Sequence, residues 1–207
     1  MPSLIPEPAA VREILHKTGA YRHGHFIYPS GQHTAHYFQM PLAFRNYDTA
    51  RILAVGLSRM FRTEKSISSL LPKVAIVSPG PGGILVAVGV REALSAQQIY
   101  WAEIEKGERL FRQYVDKGDI MPCIIVDDLI RSGQALEETV TLVEDLGGKI
   151  IGCGAIVRFT NAASTIANVP IKSLLEVDAR LYDTWEECRD AEGLKVEDNT
   201  EEQRVRM

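Results

Sequence analysis

Two adjacent carboxylates, Asp127 and Asp128, stand shortly ahead of a cationic, hydroxyl-bearing, glycine-containing turn, Arg131-Ser132-Gly133. That combination suits a sugar phosphate. A glycine-containing turn that opens a helix points backbone N–H groups and the positive helix end at one spot, which fits a phosphate. Ser132 adds a hydroxyl donor and Arg131 a forked, permanently charged one. The paired aspartates are placed to accept hydrogen bonds from vicinal ribose hydroxyls. The plainer reading of the same residues is a strand, an acidic turn and a helix start with ordinary N-terminal acids.

The flanking elements must position these groups. Ile124, Ile125 and Val126 form a β-branched run too short for a helix and bounded by Pro122, so they read as a buried strand with the acids at its end. Beyond Gly133, residues Leu136, Val140, Leu142, Val143 and Leu146 recur at helical spacing, and Gly147-Gly148 closes the helix. The alternation continues on both sides: strands at 74–77, 99–102, 150–157 and 173–177, and a helix over 84–94. Strand–helix alternation of this kind predicts a parallel α/β sheet, in which ligands bind at the carboxyl ends of strands. The charged stretch 103–119 reads as a solvated β-hairpin.

Ahead of the alternation, residues 7–18 predict an amphipathic helix with Pro8 near its start and Gly19 beyond its end. Residues 24–40 predict two short strands around a Pro-Ser-Gly turn, and Asp48 is expected to cap a helix running to about Phe61. This segment reads as a small hood over the carboxyl edge of the sheet. The tail from Asp183 is acidic and nearly without apolar residues, so it is expected on the surface.

Several further residues could carry chemistry. Ser78-Pro79-Gly80-Pro81-Gly82-Gly83 lies between a strand and a helix, and its small residues let N–H groups approach a phosphate; a tight turn without ligand explains it equally. Leu85 stands where a dinucleotide fingerprint needs its third glycine, and no Gly-Lys-Ser/Thr occurs. Arg158 follows a strand and can pair with a substrate carboxylate, or with a helix acid as a salt bridge. Tyr37 and Phe38 can wall a ring, although alternation places one of them in the core. All five histidines (His16, His23, His25, His33, His36) fall in the first 36 residues. No acid or cysteine stands near them at ligand spacing, so hydrogen bonding within the hood is the expectation rather than a metal.

The chain of 207 residues suits one domain with a full core, or one with small additions. A formal charge of −4 without a basic block argues against a nucleic-acid footprint. No apolar run reaches bilayer length, and Met1-Pro2-Ser3-Leu4 lacks the charged-then-apolar pattern of a signal segment. Cys123, Cys153 and Cys188 are far apart, odd in number and without paired metal spacing, which reads as reduced structural thiols in a cytoplasmic protein.

The run Ile124 to Gly133 resembles the phosphoribosyl-pyrophosphate (PRPP) signature of type I phosphoribosyltransferases: hydrophobics, two acids, two hydrophobics, two small residues, then glycine. It departs at Arg131, where a small residue is usual, and at Gln134-Ala135, where Gly-Ser or similar is common. Residues 17–21, 24–26, 30–33 and 37–39 are similar to the opening of the orotate phosphoribosyltransferases. Ser78 to Ile84 resembles their pyrophosphate-side loop, Trp101-Ala102-Glu103 the start of their mobile loop, and Gly154 to Arg158 the strand whose arginine meets the orotate carboxylate. Trp185 to Cys188 resembles the C-terminal end of the shorter members. The resemblance runs in order over nearly the whole chain.

It implies an α/β fold, a parallel central sheet flanked by helices with a small N-terminal hood. The chain would divide into a hood segment 1–62, a PRPP-binding core 63–182 and a surface tail 183–207. The implied activity is Mg²⁺-dependent transfer of phosphoribose from PRPP to orotate, giving orotidine 5′-monophosphate and pyrophosphate, in a homodimer. By resemblance Asp127 and Asp128 hold the ribose hydroxyls, and Arg131, Ser132, Gly133, Gln134 and Ala135 seat the 5′-phosphate. Ser78, Gly80, Gly82 and Arg112 hold pyrophosphate, with Lys106 and Arg109 as candidate loop cations. Arg158, Tyr37 and Phe38 read the base. Mg²⁺ is held mainly by PRPP, with no protein ligand assigned. Family loops that begin Ala-Glu usually continue with a basic residue; here Ile104 follows. Two alternatives stay open: a PRPP or nucleotide sensor of the same fold without turnover, and transfer to another base.

Overall fold

The computed structural model describes residues 5–195. Helix α1 (Pro8–Lys17) has proline in its first turn and buries Val11 and Leu15. Strands β1 (Tyr21–Ile27) and β2 (His33–Phe38) then pair antiparallel as a separate two-stranded sheet, the hood. Helices α2 (Pro41–Phe44), α3 (Tyr47–Arg62) and α4 (Lys65–Ser68) lead into the main sheet. That sheet is built from β3 (Ala75–Ser78), β4 (Gln98–Glu105), β5 (Glu108–Phe111), β6 (Cys123–Ile130), β7 (Ile150–Phe159), β8 (Thr165–Ile166) and β9 (Val169–Val177). Helices α5 (Ile84–Leu94) and α6 (Gln134–Asp145) are its crossovers, and α7 (Trp185–Glu192) ends the described chain.

The strand order is β5-β4-β3-β6-β7-β9-β8. The run β4-β3-β6-β7-β9 is parallel, and the two edge strands β5 and β8 are antiparallel hairpin returns. The expected parallel sheet is therefore present with antiparallel margins. Cys123 to Val126 at its centre are fully buried; each such aliphatic side chain contributes about 1.5–3 kcal/mol. No helix among the described residues is long and apolar enough to cross a membrane.

Five elements differ from the sequence expectation. Strand β6 does not stop before the acids but runs through Asp127 and Asp128 to Ile130, because β7 continues beside it and pairs Asp127 with Ala155 and Ile130 with Arg158. For the same reason Arg158 lies within β7 rather than after it. Asp48 does not cap α3: Asn46 takes the cap position and Asp48 sits in the first turn, where its charge favours the helix dipole. The last strand starts at Val169, after a turn at Ala167-Asn168 with φ of +46° and +62° that no glycine signals.

The stretch from Asp183, expected as a surface tail, instead forms α7 and fully buries Cys188 against Ala35 and Leu194. Trp185, Cys188, Ala191 and Leu194 are spread too thinly through an acidic segment to signal this packing. The expectations for residues 1–4 and for the end of the tail lie outside the described residues. Burial pushes the thiols up, Cys188 to about 11 and Cys123 to about 12, so they are structural.

Candidate active site

Strands β3 and β6 lie side by side, so the loop after β3 meets the acids of β6 at the carboxyl edge of the sheet. The Ser78 hydroxyl, itself buried, donates to the Gly80 carbonyl at 2.6 Å and folds the loop back. Gly83 packs so tightly that a Cβ there would meet Ser78 Oγ at 2.6 Å and Asp127 Oδ1 at 2.7 Å. A Cβ on Gly82 would lie 3.1 Å from both carboxylate oxygens of Asp128. The absence of side chains in this loop is what lets it close on the two acids.

Asp127 Oδ1 accepts the Asp128 backbone N–H at 2.9 Å. Burial, and next the charge of Asp128, hold Asp127 well above the usual carboxylate range; burial also raises Asp128. The pair is crowded negative charge in want of a cation or hydroxyl donors.

Both acids open onto a cavity of about 590 Å³, bounded also by the 79–82 loop, the 131–135 turn, Ile104, Arg109 and Glu138. Its size suits a small-molecule site, roughly 300–1,000 Å³. The 131–135 turn forms its floor at the N-terminus of α6. Gly133 caps that helix at φ +96°, and its carbonyl accepts the N–H groups of Leu136 and Glu137 at 2.9 and 3.1 Å. The Gln134 N–H reaches Ser132 Oγ at 3.4 Å.

The roof is the β4–β5 hairpin, as the charged stretch predicted. Its tip is Lys106-Gly107, both at positive φ. Ile104 and Arg109 are direct cross-strand partners, so they share a face of the ribbon. Arg109 Nε donates to Glu138 Oε2 at 2.8 Å, and its Nη1 donates to the Pro79 carbonyl. Glu138 Oε1 accepts Gln134 Nε2 at 2.9 Å. One arginine thus links hairpin, glycine loop and α6. Lys106 is exposed at the tip, and Arg112 borders a separate groove with Tyr114 and Leu142.

Arg158 is buried and occupied. Its Nη2 donates to Glu176 Oε1 on β9 at 2.6 Å and its Nη1 to the Ala162 carbonyl at 3.0 Å, while Nε has no partner. The acid is on a strand, not on a helix as the salt-bridge alternative had it. The 162–163 segment that Arg158 ties down backs the 131–135 turn: a Cβ on Gly133 would lie 3.6 Å from Ala163 Cβ. Phe38 stacks on Tyr21 at 4.5 Å and meets Phe159 at 5.6 Å, beside Arg158; Tyr37 stacks on Phe26. Neither aromatic borders the cavity.

The residues brought together are Gly80, Gly82, Arg109, Asp127, Asp128 and the whole 131–135 turn. Sequence reading missed Glu138, whose Gln134 partner at helical i, i+4 spacing was a usable signal, and Glu176, for which none existed.

Comparison with known proteins agrees with this geometry. No family model matches the chain. An orotate phosphoribosyltransferase of Thermotoga petrophila is 29% identical over 180 residues, 86% of this chain and 90% of that one. The solved orotate phosphoribosyltransferase of Aeropyrum pernix superposes with a TM-score of 0.63 at 16% identity, over 88% of this chain and 98% of that one. The Mycobacterium tuberculosis orotate phosphoribosyltransferase solved with PRPP gives 0.58 at 18% identity, over 83% and 96%. The likeness spans nearly the full length of such relatives: the chain is similar to orotate phosphoribosyltransferases in sequence and shares the fold of their solved structures.

Proposed function

We propose that this protein transfers phosphoribose from PRPP to orotate, yielding orotidine 5′-monophosphate and pyrophosphate for pyrimidine synthesis. The observation that carries this is convergence: the helix-opening turn, the twin acids and one guanidinium all face a single cavity. The chemistry is displacement at the anomeric carbon through an oxocarbenium-like state, in which the protein positions reactants and steadies charge. Asp127 and Asp128 hold the ribose hydroxyls and balance the positive charge that grows on the ring. Arg131, Ser132, Gly133, Gln134 and Ala135 seat the 5′-phosphate. Ser78, Gly80 and Gly82 shape the loop that receives pyrophosphate.

Arg109 supplies the cation for the leaving group. The position after Ala102-Glu103 carries Ile104, and the charge has moved to its cross-strand partner, which points into the same cavity. Glu138 and the Pro79 carbonyl hold that guanidinium until a pyrophosphate competes for it. Lys106 and Arg112 are left with lesser roles by their positions. Mg²⁺ fits the crowded carboxylates, whose repulsion a hard cation relieves; bound with PRPP it would neutralise the leaving group while needing few protein ligands.

Arg158 reads the base. Glu176 presents to it the kind of carboxylate that orotate carries, on a side chain half exposed and able to swing away. Phe38 supports this side through Phe159, and Tyr37 completes the hood wall. The free, buried thiols agree with a reducing, cytoplasmic setting. The working form is a homodimer.

The test is orotate consumption and pyrophosphate release with PRPP and Mg²⁺. Turnover with orotate and little with other bases is expected, and Arg158→Ala should raise the orotate KM more than tenfold while the PRPP KM moves less. Saturable PRPP binding without pyrophosphate release would make the protein a sensor. A rise confined to the PRPP KM would reduce Arg158 to a brace for the 162–163 segment.

A further inference from the structure

The hood carries a second cluster, away from the cavity and unused by the transfer reaction. His23 on β1 and His36 on β2 are direct cross-strand partners, with ring centroids 5.3 Å apart. The last residue of α7, Glu192, comes in beside them. One ligand atom from each of the three lies within 4.8 Å of the others. We propose that His23, His36 and Glu192 form a binding site for a divalent first-row transition ion such as Zn²⁺, which clamps the hood to the C-terminal helix.

Two of the three ligands are already oriented by partners on their far sides. Tyr21 Oη lies 2.7 Å from His36 Nδ1, which leaves Nε2 as the free ligand atom. Tyr182 donates to Glu192 Oε1 at 2.6 Å, which leaves Oε2. Those two ligand atoms, His36 Nε2 and Glu192 Oε2, stand 3.5 Å apart. Bonds of about 2.0–2.2 Å at a tetrahedral ion put ligand atoms roughly 3.4 Å apart, so this pair is at the working separation. Hydrogen-bonded second partners of this kind recur behind metal-binding histidines and carboxylates. With the ion on Nε2, His36 Nδ1 carries the proton and donates it to Tyr21 Oη. His23 is exposed and has a ring nitrogen within 4.8 Å of the other two ligand atoms.

Two histidines and one carboxylate suit zinc with a fourth position open. A polar cavity of about 360 Å³ bounded by His36, Glu192, Arg12 and Arg180 adjoins the cluster and leaves room there for water or an anion. The hood and the C-terminal segment already meet through the paired backbones of His33 and Tyr182, the Trp185 ring on His25 at 4.2 Å, and Cys188 in the small core. An ion on the other side of that contact would fix both edges of the seam.

The experiment uses the full chain, stripped with chelator and then titrated with Zn²⁺ alone. Metal is counted by mass spectrometry, affinity by calorimetry and fold stability by melting. One Zn²⁺ per chain is expected, with a rise in Tm; Co²⁺ in its place should show the intense visible bands of a four-coordinate ion. His23→Ala and Glu192→Gln should each weaken Zn²⁺ binding by roughly tenfold or more and abolish the Tm rise, without lowering the metal-free Tm. Should Glu192→Gln fail to fold, the surface variant His23→Ala decides alone. Absence of stoichiometric Zn²⁺, binding undiminished in the variants, or binding lost only when His25 or His33 is replaced, each overturns the proposal.

Discussion

At the scale of single residues, charge placement decides the chemistry. Arg109 reaches Glu138 and Pro79 across the cavity, whereas Lys106 sits exposed at the hairpin tip. Arg109→Ala is therefore expected to lower kcat by roughly a hundredfold or more, as loss of a donor to developing charge does, while Lys106→Ala stays within a few-fold; pyrophosphate release measures both. Asp127 makes a prediction about pH. Its folded pKa is raised by burial and by Asp128, above the unfolded value of about 3.9. Between those values the folded state keeps a proton that the unfolded state has released, so the stability present at low pH is lost as pH rises. Asp127→Asn should remove that loss. Melting of the ligand-free protein should show the variant more stable at pH 8, with the gap closing toward pH 4, while phosphoribosyl transfer collapses. A lower Tm at pH 8 would contradict the crowding argument.

At the scale of elements, the turn between β6 and α6 is the proposed seat of the 5′-phosphate. Gly133 has φ +96°, a conformation that costs any other residue about 1–2 kcal/mol. Gly133→Ala should therefore lower stability by about that much and raise the PRPP KM, with the orotate KM less affected; initial rates against each substrate separate the two. The hairpin and the glycine loop depend on each other in the same way. Ser78 folds the loop back, Gly82 and Gly83 admit the acids, and Arg109 pins the roof to Pro79. A site assembled from one strand end, two loops and one ribbon tolerates little independent movement of any of them.

At the scale of the molecule, one face is left apolar. Phe44, Tyr47, Ala54, Leu85 and Val88 line a groove of about 410 Å³ between α3 and α5, with Tyr47 75% and Leu85 51% exposed. Arg51 and Glu92 also line this groove and carry opposite charges. We propose this groove as the interface of a homodimer. Leu85→Glu is expected to convert the dimer to monomer in sedimentation while leaving the chain folded; a dimer that persists would move the interface elsewhere. Elsewhere, the hood and the C-terminal segment form a small second core of their own through Ala35, Cys188 and Leu194.

The sequence by itself determined the alternating sheet, the identity of the twin acids and the glycine turn behind them, because those features are local: β-branched runs, helical spacing and a residue free to take positive φ. The resemblance, not the residues alone, marked Ile104 as standing where a basic residue is usual. Only the tertiary structure decided that Arg109 lines the cavity, since it gets there through antiparallel register with Ile104 and not through sequence spacing. Arg158 met Glu176 for a similar reason, parallel pairing of β7 with β9. Glu192 joined His23 and His36 through packing of a helix whose acidic sequence gave no sign of a buried face. Local chemistry is written in neighbouring residues; partnership between distant ones depends on register and packing, which no short stretch of chain encodes.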